Sequence, residues 1–315
     1  MVPSRALIAG VAALAVASAC SREPPQLQRA PSAAERAARA AFERGEADWR
    51  AQRREELLAP DGWTSLVGLH WITPGAHYVG RDRDNGIRLS VGPGQFGMLD
   101  LRAGRVRFVP HAAADLQLDG RPLRGAVVLR ADDAVEGASR LTFDAGDGVA
   151  TVIRRGDRYA LRVRHAGAAS RTRFAGLQYW PGGPDWAVPA RFERHPPGRT
   201  LPIANIVGTI EPTANPGAVR FERGGVTYRL EALEGKDGGL FLIFADRTSG
   251  HGSYGAGRYL DTAAPDANGR VRIDFNRAYN PPCAFTSFAT CPLPPPENRL
   301  DLAITAGEKA YAGNH

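Results

Sequence analysis

Lysine is almost missing from this sequence. Of its 40 basic residues, Lys236 and Lys309 are the lysines, and the rest are arginines scattered without forming a run. No aromatic-rich basic module accompanies them, so the net charge of +7 makes no case for nucleic acid, and no such partner is expected. Helical periodicity is scarce after the first 60 residues, and no internal repeat is present. No Cys-x-x-Cys pair argues for zinc, and no Gly-x-Ser-x-Gly elbow argues for an α/β-hydrolase nucleophile. The apolar run at residues 6–17 is too short for a comfortable transmembrane helix.

What is abundant is glycine and proline, 36 and 24 residues respectively. Both punctuate turns, so the composition points to β-structure with many reversals. The N-terminal 20 residues read as a secretory signal: Arg5, then the apolar run, then Ala17-Ser18-Ala19 before Cys20. Small residues directly before a cysteine fit lipoprotein processing, with Cys20 taking the lipid. The polar, proline-rich stretch 21–33 then serves as a tether. The expected location is the cell envelope, with the membrane as partner through the lipid anchor. Ser21, rather than Asp, after the cysteine favours an outer membrane where there are two. Three cysteines would leave an odd thiol in an oxidising compartment. Lipidation of Cys20 removes one and leaves Cys283 and Cys291 as an expected disulfide.

Residues 34–59 are expected as a helix. Ser32 and Glu35 have capping-box spacing, Ala37, Ala40, Ala41, Trp49, Leu57 and Leu58 form an apolar stripe, and Pro60 follows the end. The fold class is mainly β: this helix, then two β-rich subdomains of sandwich or barrel type, at 60–175 and 201–310. Strands are expected near 96–102, 105–110, 126–131, 138–144, 149–154 and 158–164, and near 217–223, 226–233, 239–245 and 270–276. Residues 176–200, with "PGGPDW" and "HPPG", read as a connection.

Candidate chemistry is sparse. "GHGSYG" at 250–255 matches a dinucleotide fingerprint, but no helix follows it, so a glycine-rich hairpin loop is expected. Ser249, His251 and Ser253 crowd one loop, whereas triad partners meet across a fold. Gly80-Arg81 and Asn85 resemble the start of a forkhead-associated domain, without the Ser and His that would bind phosphothreonine. The stretch "DFNRAYNPPCAFTSFATCPLPPPENRL" at 274–300 is the densest in special residues. Prolines fix its path and the two cysteines pin it. One reading is a stapled cap. The other is a rigid frame that holds polar residues around a pocket.

Three segments, "WRAQRREELLAPDGWTSLVGLHWI", "FADRTSGHGSYGAGRYLD" and the 274–300 stretch, resemble the bacterial family labelled domain of unknown function 1684, over about Trp49 to Glu308. The resemblance implies no established reaction, substrate or cofactor. It rests on Asp246, Thr248-Ser249, Tyr254, Gly255, Gly257-Arg258 and the 274–299 stretch. It also implies paired cysteines in members without a signal, which keeps a thiol or metal role open for Cys283 and Cys291.

The expected function is an envelope lipoprotein that binds a small polar or anionic ligand in a pocket of the C-terminal β-subdomain. The ligand-binding candidates are Asp246, Arg258, Asp274, Asn276, Tyr279, Asn280 and Asn298. One alternative is an envelope hydrolase using Asp274 and Glu297 as acid and base; another is a structural envelope protein. No cofactor or metal is expected.

Overall fold

The structure, a computed structural model, describes Met1 and residues 31–313. The signal, Cys20 and most of the tether lie outside the described residues. The fold is mainly β, with one long N-terminal helix, α1 (Ala33–Leu58). The capping box forms as its spacing predicts: Glu35 N donates to Ser32 Oγ at 3.1 Å, and the Glu35 carboxylate accepts from Ser32 N. Gly62 then lets the chain turn back, because a Cβ there would sit 2.5 Å from Glu56 O.

The apolar stripe expected on α1 is only partly its buried face. Its buried residues are Glu46, Arg53 and Leu57, while Ala37, Ala40 and Ala41 are not buried. Leu57 packs with Ala284 and Phe285 of the stapled loop. Arg53 donates from Nε to Glu308 at 2.9 Å and from Nη2 to Asn280 O at 3.0 Å, and its guanidinium lies 4.6 Å from the Tyr279 ring centre. The helix is therefore docked largely through charged groups that carry long apolar stems.

The N-terminal β-unit is a sandwich. One sheet runs in the order Leu66–Ile72, Arg158–His165, Gly148–Arg155, Leu141–Phe143, Gln117–Leu118, Arg121–Pro122. The other runs Ile87–Arg88, Gly75–Gly80, Gly97–Arg102, Arg105–Pro110, Val127–Leu129. Alternating apolar residues from both sheets, among them Leu99, Phe108, Leu141, Val152 and Leu161, form one core. Gly80 and Asn85, which carry the forkhead-associated likeness, hold a loop together. Gly80 passes too close to Gly94 O for any Cβ, and the Asn85 amide donates to Asp82 O and Gly94 O.

The C-terminal β-unit is an antiparallel sheet in the order Arg258–Thr262, Leu240–Phe244, Val226–Glu234, Gly217–Arg223, Ala187–Arg194, Arg270–Asp274. Its outermost strands approach each other, curling the sheet towards a half-barrel around Val219, Leu230, Leu242, Phe244, Leu260, Ile273 and Phe275. One expectation needs correction: the connection read at 176–200 contains the strand Ala187–Arg194. The strand contains Pro189, a residue that cannot donate to a ladder. Its ladder to Gly217–Arg223 starts only at Ala190, so at Pro189 the strand is paired on one side alone and the missing N–H is tolerated. A hairpin, Thr200–Ala204 with Ile210–Ala214, follows. Leu66, Leu201, Ile203, Tyr259, Cys283 and Cys291 share a core that joins the two units.

Candidate functional site

Helix α1 crosses the seam between the two outer strands of the curled sheet, and a cleft of about 1440 Å³ opens beneath it. Asp274 closes one outer strand and Asp261 lies on the other; both line the cleft. From above, the helix contributes Glu46 and Arg50.

Asp274 is oriented by its own turn. Its Oδ1 accepts from Asn276 N at 3.2 Å and from the Asn276 side-chain amide at 2.8 Å. Asn276 is itself fixed, exchanging hydrogen bonds with both backbone groups of Gly183 at 2.9 Å. Arg277 Nε stands 3.6 Å from Glu46 Oε1 and 3.9 Å from Asp274 Oδ2, so two carboxylates face one guanidinium. Glu46 is 5% exposed, and its Oε2 has no hydrogen-bond partner among the described residues. Burial, with Asp274 alongside, pushes its carboxyl above the ordinary value, against the pull of Arg277 and Arg50. Arg50 Nε is likewise buried without a partner among the described residues, and its guanidinium lies 4.2 Å from the Tyr179 ring centre. Tyr279 reaches the edge of this region, donating to Asp261 Oδ2 at 2.7 Å. Burial, then Asp261, raises its phenol.

The other residues singled out in the sequence lie elsewhere. Arg258 is fully buried. Its Nη2 stands 3.2 Å from Asp246 Oδ1, and its guanidinium donates to the carbonyls of Ile304 and Ala306. Asp246 Oδ2 accepts from Ile304 N at 2.8 Å, so the pair ties the chain's last segment to the sheet. Asn298, 1% exposed, accepts from Glu231 N at 2.7 Å and donates to Glu231 O and Ile243 O. Asn280 is buried beside Glu308; its backbone N–H donates to that carboxylate at 2.7 Å and its side chain to Lys309 O. Glu297 is exposed and does not line the cleft, so the structure does not bring it to Asp274. Cys283 and Cys291 are bonded to each other and buried. Among the described residues no group of three or more His, Cys, Asp or Glu is arranged to hold a metal.

Glu46, Arg50, Arg277 and Asp261 were missed in the sequence. One signal was available for the helix. Glu46, Arg50, Arg53 and Leu57 recur at intervals of four, three and four residues, which is one helix face. Three of the four are charged, so a search for apolar periodicity passes over them.

A comparison with curated proteins finds no match. Among solved structures, an uncharacterized protein from Haloarcula marismortui, determined by solution NMR, is 31% identical. The alignment covers 46% of this chain and 81% of that one, with a TM-score of 0.38. The family match spans residues 172–309, narrower than the resemblance read from the sequence, so the segment from Trp49 to Ile72 and the sandwich lie outside it. The matched region holds the curled sheet, Asp274, Arg277 and the stapled loop, and this part of the chain matches the family described as protein of unknown function, DUF1684.

Proposed function

We propose that this protein is an exported, lipid-anchored envelope protein that binds a small polar ligand in the cleft beneath α1. One observation carries the binding site: a buried carboxylate, Glu46, lines a large cleft beside Asp274 with one oxygen unpartnered among the described residues. Buried polar atoms without partners cost stability and are rare, so their presence in a cleft marks a place where a ligand group completes the bonding. Carboxylates outnumber guanidiniums around the cleft, six to four, which favours a ligand rich in hydroxyl or amino donors over a simple anion. The bond between Cys283 and Cys291 leaves Cys20 as the cysteine without a partner in this chain, which supports its lipidation.

The test is a glycan and metabolite binding screen on the full-length protein in detergent, alongside Glu46→Gln and Asp274→Asn. Saturable binding that both variants lose is expected. Binding unchanged in both would reject the cleft as the site. Cys20→Ser should abolish partition into the detergent phase, and a lipid-free mature N-terminus elsewhere would reject the anchor.

A second reading, an envelope hydrolase, rests on the Glu46 carboxyl held up by burial next to a second carboxylate. In that pairing Glu46 would be the acid and Asp274 the base. Turnover of a bound ligand in the same screen, lost in Glu46→Gln, would favour it.

A further inference from the structure

A second pocket, of about 400 Å³, shares no lining residue with the cleft. Its wall is the loop from Arg194 to Thr200, closed against Ala214, Asn215 and Pro216. Two backbone bonds hold these walls together: His195 N donates to Pro216 O at 2.9 Å, and Asn215 N to Arg199 O at 3.0 Å. Pro196-Pro197-Gly198 stiffens the loop between the two arginines, with Gly198 in the left-handed region at φ 81°.

Behind the loop lies a His–carboxylate pair. His195 Nε2 is 2.8 Å from Glu231 Oε2, and both side chains are at least nine-tenths buried. Burial raises the Glu231 carboxyl, but hydrogen bonds from His195, Arg229 and the Asn215 amide outweigh it and hold it below the ordinary value. An ionised Glu231 fixes the imidazole proton on Nε2, which leaves Nδ1 as an acceptor facing Arg199 Nη1 at 3.4 Å. Arg199 is therefore anchored from behind, by His195 and by Glu231 at 3.7 Å, while its side chain remains 44% exposed. Arg194 forms no ion pair among the described residues and rests 5.5 Å from the Phe192 ring centre. Glu234, at the rim, is exposed.

The decisive feature is Asn215. It is 1% exposed, and its amide nitrogen is committed to Gly217 O at 3.0 Å and Ala232 O at 2.8 Å. That assignment leaves Oδ1 as the free end, and it has no donor among the described residues. The residues that line the pocket thus include two arginines and one buried amide whose oxygen has no partner among the described residues. Sulfate and carboxylates offer only acceptors at neutral pH. Hydrogen phosphate and partly protonated phosphomonoesters offer several acceptors and one O–H donor. We infer that this pocket binds a protonated phosphate group, with Arg194 and Arg199 on its oxygens and Asn215 Oδ1 accepting its proton. His195 and Glu231 are positioning residues for Arg199.

The experiment is calorimetric titration of the full-length protein with inorganic phosphate, sulfate and glycerol phosphate at matched ionic strength. Saturable phosphate binding is expected, with sulfate at least about tenfold weaker because it cannot donate to Asn215. Arg199→Gln and Arg194→Gln, both surface changes, should each weaken phosphate about tenfold or more. Glu46→Gln should leave it unchanged, which separates this site from the cleft. Tighter binding of glycerol phosphate than of phosphate would identify a phosphomonoester as the occupant; the reverse order would identify the free ion. Equal affinity for sulfate and phosphate, no binding of either, or unchanged affinity in both arginine variants would overturn the assignment.

Discussion

Replacing Glu46 with Gln should make the protein more stable at neutral pH while weakening ligand binding in the cleft. In the native fold Glu46 Oε2 is a buried acceptor without a partner among the described residues, which costs on the order of 1–3 kcal/mol. The opposing attraction comes from Arg277 at 3.6 Å, whose side chain is 45% exposed and so screened by solvent. A pair of that kind returns about 0–1 kcal/mol. Burial therefore wins, in line with the raised carboxyl. Gln keeps the shape and removes the charge, so a gain of about 1 kcal/mol is expected, or roughly 2 °C in melting temperature for a chain of this size. The pH dependence has a definite sign. A carboxyl whose folded pKa lies above its unfolded value favours the fold fully below the unfolded pKa, and that contribution is lost as pH rises through the folded pKa. Wild type and variant should thus melt together near pH 3.5, and the variant should pull ahead as pH rises towards 7. Thermal melts across that range decide it. A variant less stable than wild type at pH 7, or a difference independent of pH, would refute the reasoning.

Arg258→Met should cost about 3–5 kcal/mol, because it leaves the Asp246 carboxylate buried without its cation. Adding Asp246→Asn should return part of that loss in urea unfolding. Asn298→Ala should cost about 3 kcal/mol, since three buried backbone groups lose their partner, and denaturant midpoints will show it. Reducing the Cys283–Cys291 bond, which closes a loop with a sequence separation of 8, should cost about 2–3 kcal/mol by the chain-entropy account. Hydrogen exchange should show loosening at 277–299 with little change in the sandwich.

The sequence by itself determined the elements whose cause is local. Alternation and turn residues placed Gly97–Arg102, Arg105–Pro110, Gly217–Arg223 and Val226–Glu234 almost to the residue, because side chains on a strand alternate with period two and glycine or proline ends the run. Ser32 with Glu35 marked the helix start for the same kind of reason. The sequence also singled out Asp274 and Asn276, which share one short turn and the cleft. What it could not supply is which distant groups meet. Glu46 faces Asp274 only because α1 lies across the seam of the curled sheet, and no local pattern encodes that crossing. His195 and Glu231 meet only because residue 195 folds back against a buried strand. Arg258 and Asn298 look in the sequence like ligand donors, and the fold uses their hydrogen bonds to join its own segments. A polar side chain carries the same donors in either role. Only tertiary packing decides whether backbone or a cleft stands opposite them, because that choice depends on burial, which is a property of the whole chain.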